Sequence, residues 1–116
     1  MDSILSTIKK LLGIVEDYNV FDMDITTNVN SAFSTLNQLG VGPVNGFFIT
    51  GSNETWNEFS EDPILIEWVK TYIYLRTRII FDSSSMSSYV MESIKQTISE
   101  LEFRMNVYSE NKKEEV

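Results

Sequence analysis

Four carboxylates fall close together near the start of the chain, at Glu16, Asp17, Asp22 and Asp24. Oxygen-rich clusters of this kind suit hard cations such as calcium, which need several oxygen ligands. Here Asp22 and Asp24 are two residues apart, so a helix would point them to different faces, and no glycine-spaced calcium loop follows. They read instead as helix-start carboxylates at the positive end of a helix dipole, and no metal site is expected. The serines of residues 83–88, interrupted by Met86, offer hydroxyls that a base could turn into nucleophiles. The chain has no histidine, however, and no Ser-x-x-Lys pattern accompanies the run, so it reads as a linker. Histidine is also the commonest general base and metal ligand, and with no cysteine present thiolate chemistry and disulfides are excluded too. Gly40-x-Gly42 follows a helical stretch and not a strand, so it is a helix stop and not a dinucleotide loop. The chain is therefore expected not to be an enzyme, with no catalytic residue and no cofactor.

Trp56, Phe59, Trp68, Tyr72 and Tyr74 could stack nucleobases, but their neighbours are Glu54, Glu58, Glu61, Asp62 and Glu67, whereas stacking sites sit in basic grooves. Core packing is the better reading. Nine basic and seventeen acidic residues give a net charge of −8, which repels nucleic acid and anionic membranes. Nothing approaches a membrane-spanning apolar run, and Lys9 and Lys10 follow the first apolar positions where a secretory signal would have them precede. A soluble protein, intracellular where it is made, is the expectation, and 116 residues suffice for one domain with a real core.

The elements that must position these residues read as an all-α, four-helix compact domain. Ile4, Leu5, Ile8, Leu11 and Leu12 make the stripe of a first helix, capped by Asp2 or Ser3 and ended by Gly13. A second spans about Asp22 to Leu39, with Phe21, Ile25, Val29, Ala32, Phe33, Leu36 and Leu39 on its apolar face and Gly40 and Pro43 closing it. Between residues 41 and 60, two β-prone pieces, Phe47 to Thr50 and Thr55 to Trp56, leave room for at most a small hairpin around residues 51–54. A third helix starts at Asp62 or Pro63 and runs to about Phe81. Twelve of its residues from Ile64 to Phe81 are apolar, more than one face can bury, so it is either central or an interface. A fourth covers Tyr89 to Tyr108, with Met91, Ile94, Ile98, Leu101, Met105 and Tyr108 as its seam and Glu100 and Arg104 as an exposed pair. Residues 1–108 form the domain, and 109–116 a polar, frayed tail.

Arg76 is the anomaly. It lies inside the apolar arc of the third helix, where a guanidinium either snorkels to water or, once desolvated, meets a carboxylate from another helix or another subunit. Arg76, with Tyr74 and Ile73 beside it, marks the expected subunit interface.

Several strings then acquire meaning through their order. Ile8-Lys9-Lys10-Leu11-Leu12-Gly13-Ile14 leads to Phe21-Asp22, then Asn30, then Gln38-Leu39-Gly40-Val41-Gly42-Pro43. Thr55-Trp56, Tyr72-Ile73-Tyr74-Leu75 and Phe81-Asp82 follow, before Ile94-Lys95-Gln96 and Glu100-Leu101-Glu102-Phe103-Arg104-Met105-Asn106. This order resembles the small head–tail connector (adaptor) proteins of tailed bacteriophages and prophages, over about residues 4–108. One departure is that Ser83-Ser84 stand where the family often has prolines. The resemblance implies a structural subunit of the virion neck, made in the host bacterial cytoplasm, that forms a ring of about a dozen copies beneath the portal. The ring would extend the DNA channel, let DNA pass without specific binding, and carry later neck and tail proteins, with no membrane involved. It also implies a C-terminal segment reaching toward the portal, with Phe103, Met105 and Tyr108 as the expected anchors. The competing reading is a small acidic inhibitor that mimics DNA toward a host protein; the dispersal of the carboxylates weighs against it.

Overall fold

The structure is a computed structural model and describes residues 3–114. Five α-helices follow one another: α1 (Ile4–Leu11), α2 (Asp22–Gln38), α3 (Trp56–Phe59), α4 (Pro63–Asp82) and α5 (Ser88–Glu114), with a 3-10 turn at Ser83–Ser85. The fold is all-α, as the periodicity predicts. Ser3 caps α1 by accepting from the Ser6 N–H, while Asp2 lies outside the described residues. Asp62 caps α4 by accepting from the N–H groups of Ile64 and Leu65, with Pro63 in the first turn. α2 ends in a left-handed Gly40 (φ +79°), and the Val41 N–H reaches back to the Leu36 carbonyl.

α4 packs against α1, α2 and α5, which settles why it is apolar around most of its circumference: it is the central helix. The core gathers Ile4, Leu5 and Ile8 of α1, Ile25, Val29, Ala32, Phe33 and Leu36 of α2, Leu65, Ile66, Val69, Tyr72 and Ile73 of α4, and Met105 of α5. Phe21, expected in the α2 stripe, instead stands at the helix start and stays partly exposed against Tyr18 and Phe81.

Residues 41–60 correct the sequence reading. Among the described residues they hold no hairpin; the only pairing there is an isolated antiparallel bridge of Thr55 with Ser3, and Trp56 opens the short helix α3. The reason is a competing set of partners. The Asn30 side-chain amide donates to the Ile49 carbonyl at 2.9 Å and its Oδ1 accepts the Ile49 N–H at 2.7 Å, doing for this segment what a neighbouring strand would do. The Glu54 carboxylate accepts from both the N–H and the hydroxyl of Thr50, folding residues 50–54 back on themselves. Gly42 is irreplaceable on steric grounds: it has φ +92°, and a Cβ there would lie 2.5 Å from the Phe59 ring.

The helix end expected at Tyr108 is also corrected, since α5 continues to Glu114. Ser109 is buried and Lys112 lies over the Tyr108 ring, so the polar segment is held by packing. Lys112 and Lys113 also sit in the last turn, where cations suit the helix dipole.

Candidate functional site

The polar centre of the molecule is built around Arg76. Its Nη1 donates to Tyr72 Oη at 3.0 Å and to Thr35 Oγ1 at 2.9 Å, and Nη2 reaches Ser31 Oγ at 3.4 Å. The Tyr72 hydroxyl in turn donates to Glu102 Oε2 at 2.7 Å. One relay thus ties α2, α4 and α5 together, and the carboxylate expected to meet Arg76 arrives from α5 of the same chain, through Tyr72. Burial, reinforced by the Glu102 carboxylate and opposed by Arg76, pushes the Tyr72 phenol up to about 12. The hydroxyl is therefore protonated at neutral pH and can serve as donor to Glu102 while accepting from Arg76. Arg76→Ala is expected to lower folding stability by about 1–3 kcal/mol, the range for hydrogen bonds from a charged donor. Urea unfolding of the wild type and the variant measures it; an unchanged midpoint would place the work of this guanidinium outside its own chain.

Of the two residues named beside Arg76, Ile73 is fully buried in the core of its own chain, whereas Tyr74 is half-buried against the same core and keeps part of its surface open. The C-terminal trio divides in the same way. Met105 is fully buried and Tyr108 packs edge-on against Trp68 at 5.3 Å, whereas Phe103 is 70% exposed. Val107, one turn on, is exposed with it.

Tyr108 also donates to Asp62 Oδ2 at 2.6 Å, joining α5 to the cap of α4. That hydroxyl, with the Leu65 and Ile64 N–H groups and the Lys112 charge, holds the Asp62 carboxyl below its ordinary value of 3.8 against the opposing effect of burial. A depressed carboxylate contributes stability that is present above about pH 4 and is lost as the pH falls through its folded-state value. Tyr108→Phe should therefore destabilise the protein most near neutral pH, and the gap to wild type should narrow toward about pH 2 in thermal melts. A gap that is constant across the range would separate Tyr108 from the Asp62 titration.

Sequence reasoning missed Lys9. The residue is 3% exposed, and its ammonium pairs with Asp22 Oδ1 at 2.9 Å while donating to the Glu16 carbonyl at 2.8 Å and to Asn19 Oδ1 at 3.3 Å. The signal was weak: on a helical wheel Lys9 falls just beyond Leu5, at the edge of the apolar arc, where a lysine ordinarily lays its stem along the core and keeps its charge in water. The early carboxylates do not converge on a cation site, because Asp22 turns to Lys9 and Glu16 accepts from the Ser6 hydroxyl.

Among the described residues no group of three or more acidic side chains could hold a metal. The serines expected to be a linker make the 3-10 turn and the start of α5: Ser85 Oγ donates to the Asp82 carbonyl, and Ser87 Oγ accepts from the Val90 N–H. No described helix is long and apolar enough to cross a membrane. What the chain presents is a helical body with large apolar side chains exposed at separate places, among them Phe103 on α5 and Val20 and Met23 around the start of α2.

No curated protein and no solved structure matches this chain. A family model described as phage connector protein matches residues 4–112, which takes in α1 through almost all of α5. On that match, and with the all-α architecture in place, the chain belongs to the phage connector protein family.

Proposed function

We propose that this chain is a non-enzymatic subunit of the phage neck, which assembles with copies of itself into a ring against the portal and carries the proteins added after it. The observation that carries the reading is the match to the connector family along nearly the whole chain. The exposed pair Phe103 and Val107 on the outer side of α5 supplies an apolar docking face at the C-terminal end, as expected for contact with the portal. A net charge of −8 suits a conduit through which DNA slides without sticking.

The test is addition of purified chain to portal-bearing, connector-free capsids, read by electron microscopy and sedimentation. A ring of added density at the portal vertex is the expected result. Phe103→Ser with Val107→Ser should abolish attachment while leaving the melting temperature within a few degrees of wild type, since both side chains are exposed. Capsids that bind the variant as well as the wild type would remove this face from the mechanism. Deleting residues 107–116 would not be a clean test, because it takes away the Tyr108 anchor and buried Ser109.

A further inference from the structure

A second apolar surface lies at the other end of α2. The loop joining α1 to α2 and the first turn of α2 expose Val15, Tyr18, Val20 and Met23, with Val20 69% and Met23 81% exposed. Aromatic contacts make this surface continuous across two elements: Tyr18 meets Phe21 edge-on at 5.9 Å, and Phe21 meets Phe81 at 5.7 Å. Phe21, Ile80 and Phe81 line a groove together with Asp24 and Asn28, and a second concavity lies over Ile14, Val15 and Tyr18. A loop that exposes this many large apolar groups would ordinarily collapse or fray. This one is held in shape from beneath by the buried Lys9, ion-paired with Asp22 and hydrogen-bonded to the Glu16 carbonyl and Asn19. A preformed apolar loop loses little conformational entropy on binding.

Charge indicates what it meets. From residue 11 to residue 69 the sequence has nine acidic residues and no lysine or arginine. Around the loop Glu16, Asp17 and Asp24 have no cationic partner among the described residues. A second copy has few cations to supply. Of the nine basic residues, Lys70, Arg78, Arg104 and Lys113 already pair with acidic residues three or four positions away, Lys9 is spent on Asp22, Arg76 on hydroxyls, and Lys112 lies over the Tyr108 ring, which leaves Lys10 and Lys95 on a chain of net charge −8. Like-charged copies repel at such a rim.

We infer that the α1–α2 loop with the end of α4 is a docking surface for a different protein, one that presents an apolar segment flanked by lysine or arginine. The surface is separate from the Phe103 face and does not depend on ring formation.

The full chain, labelled with ¹⁵N, is titrated with three synthetic peptides: an amphipathic Leu/Lys helix of about 18 residues, a Leu/Glu helix with the same apolar spacing, and oligolysine of equal charge. The Leu/Lys helix should shift the amide signals of residues 15–24 and of Ile80 and Phe81, with affinity falling about tenfold on raising the salt to ~0.5 M. The Leu/Glu helix should not bind. Val20→Ser with Met23→Ser, both at exposed positions, should weaken the Leu/Lys helix about tenfold with no change in melting temperature. Shifts elsewhere on the molecule, equal binding of oligolysine, or undiminished binding by the double variant would overturn the inference. So would concentration-dependent shifts of residues 15–24 in the chain alone that the double variant abolishes, because the occupant would then be a second copy. No capsid enters this experiment, so its failure leaves the neck reading standing, and failure of capsid attachment leaves this surface standing.

Discussion

Replacing Phe33 with alanine is expected to cost about 3–5 kcal/mol of folding stability, the upper range for deleting a buried aromatic ring. Phe33 is 1% exposed and sits where α2 meets the segment after it. Its ring lies 5.1 Å from that of Phe47 and 5.0 Å from that of Phe59, and those two rings are 5.6 Å apart. Residues 41–62 have no strand ladder of their own, so this three-ring cluster is a main attachment of that segment to the helices. The cavity left by truncation could close only poorly, because Phe59 is already in close contact with the backbone at Gly42. Equilibrium urea unfolding measures the loss, and Phe33→Leu should recover more than half of it. A loss below about 1 kcal/mol would mean that the segment is held elsewhere.

Lys9→Ala should rank next, at about 2–4 kcal/mol. Truncation removes the ammonium from Asp22 and leaves the Glu16 carbonyl and Asn19 without their donor. The figure is set below the cost of breaking a fully buried pair because the Asp22 side chain is 31% exposed and water can reach part of it. The charge and hydrogen-bonding contributions are separable. A double-mutant cycle of Lys9→Met with Asp22→Asn should show coupling of about 1–3 kcal/mol between the two sites. Hydrogen exchange at residues 13–21 should speed up in Lys9→Met before the helices are affected, since this loop has few other anchors. Additive single effects, with unchanged exchange in the loop, would strip Lys9 of its part in shaping it.

Much of this architecture was legible in the order of residues. The stripes of α1, α2, α4 and α5 were readable because a helix repeats its environment every three to four residues, so one buried face leaves a local record. Ser3, Asp62, Pro63 and Gly40 marked helix ends for the same reason: a cap acts on its own first or last turn. The family was legible too, from spaced strings whose reasons the structure now supplies in part. Asn30 clamps Ile49, and Asn106 donates to the Leu39 carbonyl at the end of α2, each bond spanning many residues.

What the sequence could not display were choices between partners far apart in the chain. The pieces around Phe47 and Trp56 have strand-like composition, but Asn30, nineteen residues upstream, satisfies the Ile49 backbone, and the segment stays irregular. The polar stretch after Tyr108 looked unable to bury itself, and it is helical because Asp62 and Trp68 fix Tyr108 just before it, Ser109 is buried and Lys112 lies over the Tyr108 ring. Arg76 stood without a visible partner in the sequence because its hydroxyl partners, Ser31 and Thr35, belong to another helix. Met105, taken for a docking anchor, turned inward, while Phe103, two residues away, turned out. The sequence by itself thus determined the helices, their ends, the acidic charge and the family, all properties that local spacing or composition encodes. Only the tertiary structure decided which side chains face one another and which face out, because that depends on how α4 is surrounded by α1, α2 and α5, and no local period carries that information.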